Sequence, residues 1–189
     1  MQWPLGRERG ESMQFNVAQL LKGPIGGIRQ YALAEEVPAL RQELPLTQPL
    51  VGTVRFLRTS RGVLTEVDLT TEVRLECSRC LEVFESPLHV HFQEEFQPTI
   101  DIATGMPLPL PEDGFSFTID DRHILDLTEA TRQYLLLSLP LQPLCRPDCA
   151  GLCPECGQNR NLGPCGCAPA VGDPRLAVLG ELLKALEER

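Results

Sequence analysis

The clearest regularity in the chain has period two: Val63, Thr65, Val67, Leu69, Thr71, Val73, Leu75 and Cys77 interleave with Leu64, Glu66, Asp68, Thr70, Glu72, Arg74 and Glu76. Successive side chains of an extended chain point to opposite faces, so the pattern predicts a strand with one buried and one solvated face. The run exceeds the ~5 to 6 residues of an ordinary strand, which predicts a bend or two successive strands. After a turn at residues 77–80, Leu88, Val90, Phe92 and Phe96 run back along one face. The expected unit is an antiparallel hairpin with a thiol pair at its tip.

Other elements are shorter. Asn16-Val17-Ala18-Gln19 resembles a capping box ahead of Leu20 and Leu21, and Gly23-Pro24 stops the helix early. Gly26-Gly27 makes the following loop permissive, residues 50–57 suit a strand, and Thr59-Ser60-Arg61-Gly62 reads as a turn. Residues 97–114, with Pro98, Pro107, Pro109 and Pro111, form an extended loop. Phe115, Phe117 and Ile119 alternate as a short strand. Asp126-Leu127-Thr128-Glu129 then caps a helix with Ala130, Tyr134, Leu135 and Leu137 as its apolar residues, ended by Pro140 and Pro143. Asp173-Pro174 opens a terminal helix faced by Leu176, Leu179, Leu182, Leu183 and Leu186. The fold class is α+β: an antiparallel β-sheet with flanking helices and a C-terminal zinc-knuckle-like cysteine cluster. Residues 1–12 read as a disordered extension with Met13 as an alternative start, 13–140 as the sheet domain, and 141–189 as a cysteine-rich segment and helix docked on it.

Composition narrows the class. The 189 residues are 42% apolar and hold only ten aromatics, so the expected core rests on Leu and Val. No stretch reaches the ~18 apolar residues of a membrane span, and Arg7, Glu8 and Arg9 stand where a secretory signal needs an apolar run. The expectation is a cytoplasmic protein with no membrane partner and no small-molecule substrate. The formal net charge is -9, and the acid excess lies in residues 75–140, where 12 Asp and Glu face 3 Arg. Such a surface repels phosphate backbones and argues against broad nonspecific nucleic-acid binding. A local basic face survives. Arg55, Arg58, Arg61, Arg74 and Arg79 fall on neighbouring expected strands and their turn, and the guanidinium fork suits phosphate oxygens. Arg58, Arg61 and Arg79 are the candidate RNA contacts, and a solvated sheet edge explains the same residues.

The chemistry lies in the cysteines: an early pair, Cys77 and Cys80, and a cluster of Cys145, Cys149, Cys153, Cys156, Cys165 and Cys167. A cytosolic chain keeps thiols reduced, and C-x-x-C and C-x-C spacings favour chelation over cross-links. Zinc takes four thiolates in a tetrahedron, and one C-x-x-C turn supplies two of them. Leu152-Cys153-Pro154-Glu155-Cys156-Gly157 has the form of a zinc knuckle, which Cys165-Gly166-Cys167 can close. Cys77, Cys80, Cys145 and Cys149 can form a second site. Alternatively Cys145 or Cys149 completes the first while others stay free. One or two Zn2+ are expected. Each filled site adds two negative charges, taking -9 to -13 for two. Four cysteines leave no open position for water, so the role is structural.

No P-loop, Rossmann, metalloprotease or nucleophile-elbow motif is present, and an enzyme is not expected. His89 and His91 share a strand face that a metal can use, and a polar strand face explains them equally well. Asp120, Asp121, His123 and Asp126 fit a strand end and a helix cap.

Two passages together resemble the YceD family: Cys77-Ser78-Arg79-Cys80-Leu81 with Phe84, and Pro140-Leu141-Gln142-Pro143-Leu144-Cys145 continuing through Cys149, Gly151-Leu152-Cys153-Pro154-Glu155-Cys156-Gly157 and Asn161. The resemblance covers roughly residues 13–183. It implies a non-enzymatic ribosome-biogenesis factor for synthesis, processing or stability of 23S ribosomal RNA, in the bacterial cytosol or in chloroplasts, and it carries no catalytic residues. The implied partner is a large ribosomal subunit precursor, met through ribosomal protein or rRNA. The competing class is a cysteine-rich zinc regulator, either a nucleic-acid-binding transcription factor or a thiol redox switch.

Overall fold

A computed structural model describes residues 13–109, 117–167 and 179. The expected extension at 1–12, Phe115 and the terminal helix apart from Leu179 lie outside the described residues. The chain forms two compact units. The first runs through Glu76 and resumes over Val83–Pro143, and the second joins Cys77–Glu82 to the residues from Leu144 onward. Among the described residues no helix is long and apolar enough to cross a membrane.

The first unit holds strands β1 (Gln14–Asn16), β2 (Ile28–Glu35), β3 (Leu50–Arg58), β4 (Val63–Glu76), β5 (Val83–Pro98), β6 (Thr118–Ile119) and β7 (Ile124–Asp126), with helices α1 (Ala18–Leu21), α2 (Pro38–Glu43) and α3 (Thr128–Ser138). They make a seven-stranded sheet in the order β1-β7-β6-β5-β4-β3-β2. Every pair is antiparallel except β5 with β6, which is parallel. The sheet is therefore mixed rather than purely antiparallel. A parallel neighbour needs a long crossover, and the proline-bearing connection from Pro98 to Thr118 supplies it. The helices are few and short, so this unit is mostly sheet.

The alternating segment is one unbroken strand rather than two. Its partner β5 matches it residue for residue from Val63 opposite Phe96 to Glu76 opposite Val83. One-to-one pairing along the whole of β4 leaves no extra residue for a bulge. The expected face is the buried one: Val63, Val67, Leu69 and Val73 on β4, and Leu88, Val90, Phe92 and Phe96 on β5. At the sheet's two edges, Phe15 of β1 meets Tyr31 of β2 with ring centroids 5.3 Å apart, and Phe56 of β3 at 5.0 Å. The sheet thus curls until its edge strands share one aromatic cluster.

The pattern of residues does not announce β2, because only Leu33 of its eight residues is buried. Pairing with β3 creates it. The Gly26 N–H donates to the Arg58 carbonyl and the Arg58 N–H to the Gly27 carbonyl, both at 2.8 Å, which turns the chain onto its neighbour. At α3 the N-cap residue is Leu127, without a side-chain cap, rather than the expected Asp126, whose carboxylate accepts from the Thr128 N–H at 2.8 Å one position ahead of it. Glu129 instead pairs with Arg132 and Gln133 on its own helix. Leu137, expected on the apolar face, is 79% exposed, whereas Ala130, Thr131 and Leu135 are buried. Tyr134 stacks on Phe92 at 4.3 Å and donates its hydroxyl to Glu94 at 2.6 Å, seating α3 on β5.

A Cβ built at Gly52 on β3 meets the Asp68 carbonyl carbon of β4 at 2.9 Å and its oxygen closer still. Close-packed strands cannot yield that space without separating. Gly52→Ala is expected to lower stability by about 2 kcal/mol or more. Urea denaturation checks this, and an unchanged midpoint contradicts it.

Candidate metal centres

Both cysteine sets lie in the second unit, and each begins with the same turn. The Cys77 N–H donates to the Glu82 carbonyl and the Leu81 N–H to the Cys77 carbonyl, each at 2.9 Å. The Cys153 N–H donates to the Gln158 carbonyl at 2.8 Å and the Gly157 N–H to the Cys153 carbonyl at 2.9 Å. The residue after the second cysteine is left-handed in both, Leu81 at φ 61° and Gly157 at φ 72°. Glycine adopts this conformation without penalty, and a leucine there must be held by its surroundings.

The structure gathers the eight thiols into two sets of four, Cys77, Cys80, Cys145 and Cys149, then Cys153, Cys156, Cys165 and Cys167. Within each set the sulfurs all lie within 4.8 Å of one another. Of the alternatives open in the sequence, the one with two complete sets is the one that forms. In the first, Cys77 Sγ lies 3.7 Å from Cys149 Sγ, and Cys80 Sγ 3.7 Å from Cys145 Sγ. A disulfide needs ~2.05 Å, whereas the edge of a tetrahedron with ~2.3 Å metal–sulfur bonds is about 3.8 Å. The donor set and spacing fit a tetrahedral thiolate-bound ion. The first set is nearly enclosed. The second is open on one side, with Cys156 and Cys167 exposed. Among the described residues, each buried apolar side chain of this unit is a cysteine: Cys77, Cys80, Cys149 and Cys153. The sulfurs are its core.

A 3-10 turn at Arg160–Leu162 ties the sets together. Asn161 donates its Nδ2 to Cys149 Sγ at 3.3 Å and accepts the Ala150 N–H at 2.8 Å. Its neighbour Arg160 points a guanidinium at Cys153 Sγ, 4.0 Å away, and gives its backbone N–H to the Gly151 carbonyl. Adjacent side chains thus serve different sets. Gly151, at φ 70°, leaves room for Arg79, whose carbonyl lies 3.1 Å from where a Cβ would stand. Arg79 receives the Leu152 N–H there and donates its guanidinium to the Cys149 carbonyl at 3.0 Å. Sequence reading did not single out Arg160, and noted Asn161 only within the family resemblance. The available signal was a polar Asn-Arg-Asn turn set between two thiol pairs.

The surroundings divide the thiols by acidity. Burial opposes ionisation of Cys77, but the N–H groups of Cys145, Arg79 and Cys80 outweigh it and bring the thiol to about 6. The Cys156 and Glu155 N–H groups bring Cys153 to about 6. Asn161 is the main cause lowering Cys149. The Glu82 N–H pulls Cys80 down, yet burial and its neighbours Cys77 and Cys149 leave it raised. Burial and the Cys80 and Cys149 sulfurs push Cys145 up to about 12, and Cys156 with burial does the same to Cys167. Anionic sulfurs this close cannot all ionise unless a cation stands among them.

Of the candidate RNA contacts, Arg58 and Arg61 belong to the first unit and Arg79 to the second. Arg58 donates to the Thr59 and Gly62 carbonyls, Arg61 pairs with Glu95 at 2.6 Å, and Arg79 supports Cys149. Arg55 pairs with Glu66 and Arg74 with Glu85. His89 and His91 both face Asp68, at 3.2 and 3.6 Å. Asp120 accepts the N–H groups of Arg122 and Ile124 within its own turn.

Removing a group that orients a ligand lowers metal affinity about 10- to 100-fold. Asn161→Ala is expected to do so at the first set and Arg160→Ala at the second, each sparing the other. Cobalt titration with chelator competition resolves the two, and equal loss at both sets counts against this division. Metal entry also displaces protons. Cys77 and Cys153, lowered below the ordinary thiol range, stabilise the metal-free fold above that range and lose this as pH falls through about 6. Cys145 and Cys167 still hold protons at neutral pH. Apparent affinity at each set is therefore expected to rise about tenfold or more per pH unit from about pH 7 to 9. Competition against a chromophoric chelator across that range measures the slope, and a flat profile contradicts it.

The family described as large ribosomal RNA subunit accumulation protein YceD matches residues 65–183, from within β4 through both cysteine sets. Uncharacterized proteins of Mycobacterium tuberculosis and Mycobacterium bovis are each 35% identical over 130 residues, covering 69% of this chain and 60% of the relative. One from Mycobacterium leprae is 28% identical over 139 residues, covering 70% of this chain and 62% of its own. The chain spans about three-fifths of the length of these curated relatives. No solved structure matches the chain. The shared stretch takes in more than half of the residues and every cysteine described above, and the chain belongs to the YceD family of large ribosomal RNA subunit accumulation proteins.

Proposed function

We propose that the protein is a non-enzymatic factor of the bacterial cytoplasm that supports synthesis, processing or stability of 23S ribosomal RNA by binding a precursor of the large ribosomal subunit. One observation carries the reading: the family match spans a unit whose buried core is two complete sets of four cysteines. Zn2+ is the ion this donor set suits, one per set, held by Cys77, Cys80, Cys145 and Cys149 and by Cys153, Cys156, Cys165 and Cys167. When bound, it neutralises half the thiolate charge and cross-links segments far apart in sequence. With all four positions taken by sulfur, neither ion activates water, so its contribution is rigidity. The rigid unit then presents a fixed surface to its partner.

Depletion tests the function. The expected outcome is a several-fold fall of 23S relative to 16S RNA, restored by the wild-type chain and not by Cys80→Ser with Cys145→Ser. Equal levels of the two RNAs, with a changed response to oxidant, would favour a thiol switch and reject the ribosomal reading. Elemental analysis of the reduced chain is expected to give two zinc ions per molecule.

A further inference from the structure

Beside the turn that joins β3 to β4, the first unit carries a cleft of about 170 Å3. Aliphatic Leu21, Ile100 and Ile102 share its lining with Arg58, Arg61 and Asp101. We propose that this cleft holds one nucleotide of a single-stranded RNA, with the base against the aliphatic side chains and the phosphate on Arg58 and Arg61. The choice of RNA rests on the ribosomal reading above; the site itself rests on the geometry that follows.

The size suits one flat ring, being well below the ~300–1,000 Å3 of a small-molecule pocket. Unpaired RNA offers splayed bases and exposed phosphates of this kind, whereas the grooves of duplex RNA do not. The cations are already in place. Arg58 is fixed by its backbone pairing to Gly26 and Gly27, and one of its terminal nitrogens donates to the Thr59 and Gly62 carbonyls at 2.8 and 2.9 Å. Its Nε is buried and has no hydrogen-bond partner. That nitrogen is enclosed by the fold, so phosphate contact at Arg58 falls to the outer guanidinium nitrogens.

Two carboxylates lie close by, and each is already engaged. Asp101 in the cleft accepts the N–H groups of Ala103 and Thr104 and the Thr104 hydroxyl, which hold it ionised and point its oxygens into its own turn. Glu95 pairs with Arg61 and also accepts the Thr59 hydroxyl at 2.8 Å. Arg61 is 73% exposed, and an ion pair so wet is weak. It can turn to a phosphate while Thr59 keeps Glu95 satisfied. The net charge of -9 repels RNA elsewhere, so contact is confined to this local pair of cations.

The test is an NMR titration of the full zinc-loaded chain with an oligouridine hexamer, uridine monophosphate and inorganic phosphate. The hexamer is expected to shift amides of residues 58–62 and 98–102, and inorganic phosphate to bind far more weakly. Arg61→Ala is expected to weaken the hexamer about fivefold and to reduce the salt slope by about 0.7. Arg61→Glu abolishes binding and Arg61→Lys restores part of it; Arg61 is exposed, so these variants keep the fold. Shifts located elsewhere, or affinity indifferent to Arg61→Ala and Arg61→Glu, overturn the proposal. Phosphate binding as tightly as the hexamer overturns the base subsite. Failure here leaves the depletion experiment untouched, and equal 23S and 16S on depletion leaves the titration untouched, so the two readings fail separately.

Discussion

Eight sulfurs in two tight sets impose one constraint that the second unit is built around: thiolates all within 4.8 Å of one another repel unless a cation stands among them. The fold answers with donors. N–H groups aimed at Cys77 and Cys153 and the Asn161 amide at Cys149 carry part of the negative charge, and the protons left on Cys145 and Cys167 carry more. Among the described residues of this unit, no aliphatic side chain is buried.

The long hairpin is what makes the first set possible. Fourteen paired residues run without a bulge, so the strands deliver Cys77 and Glu82 from opposite sides of one tip. A slip of one residue in that register would turn each side chain to the other face. The same register buries Phe92 and Phe96 and so couples hairpin length to the core. Leu81, left-handed where the second turn has Gly157, shows a conformation imposed by this arrangement against the residue's own preference.

The arginines divide by environment in a way that spacing alone conceals. Arg79 sits among cysteines and serves their backbone, Arg55 and Arg74 answer carboxylates across the strand, and Arg58 and Arg61 border a cleft. Side chains of one type on neighbouring strands therefore do three different jobs. His89 and His91 are similarly accounted for by Asp68 on the neighbouring strand.

The hairpin, its buried face and the helices α1 and α3 could be read from the chain because period-two alternation and helix start signals are local, although the N-cap residues are Val17 and Leu127, without side-chain caps, and Asn16 and Asp126 stand one position ahead of them. The thiol spacing likewise singled out the residues that the fold gathers into two sets of four. Tertiary structure decided the rest. β2 has a single buried residue, so its strand exists through pairing with β3, and the parallel β5–β6 pair needs a crossover that no local pattern specifies. Which cysteine joins which set was open in the sequence, because Cys145 and Cys149 lie far from Cys77 along the chain and near Cys153. Only the folded path brings those sulfurs together, since contacts between distant residues depend on where the chain travels between them.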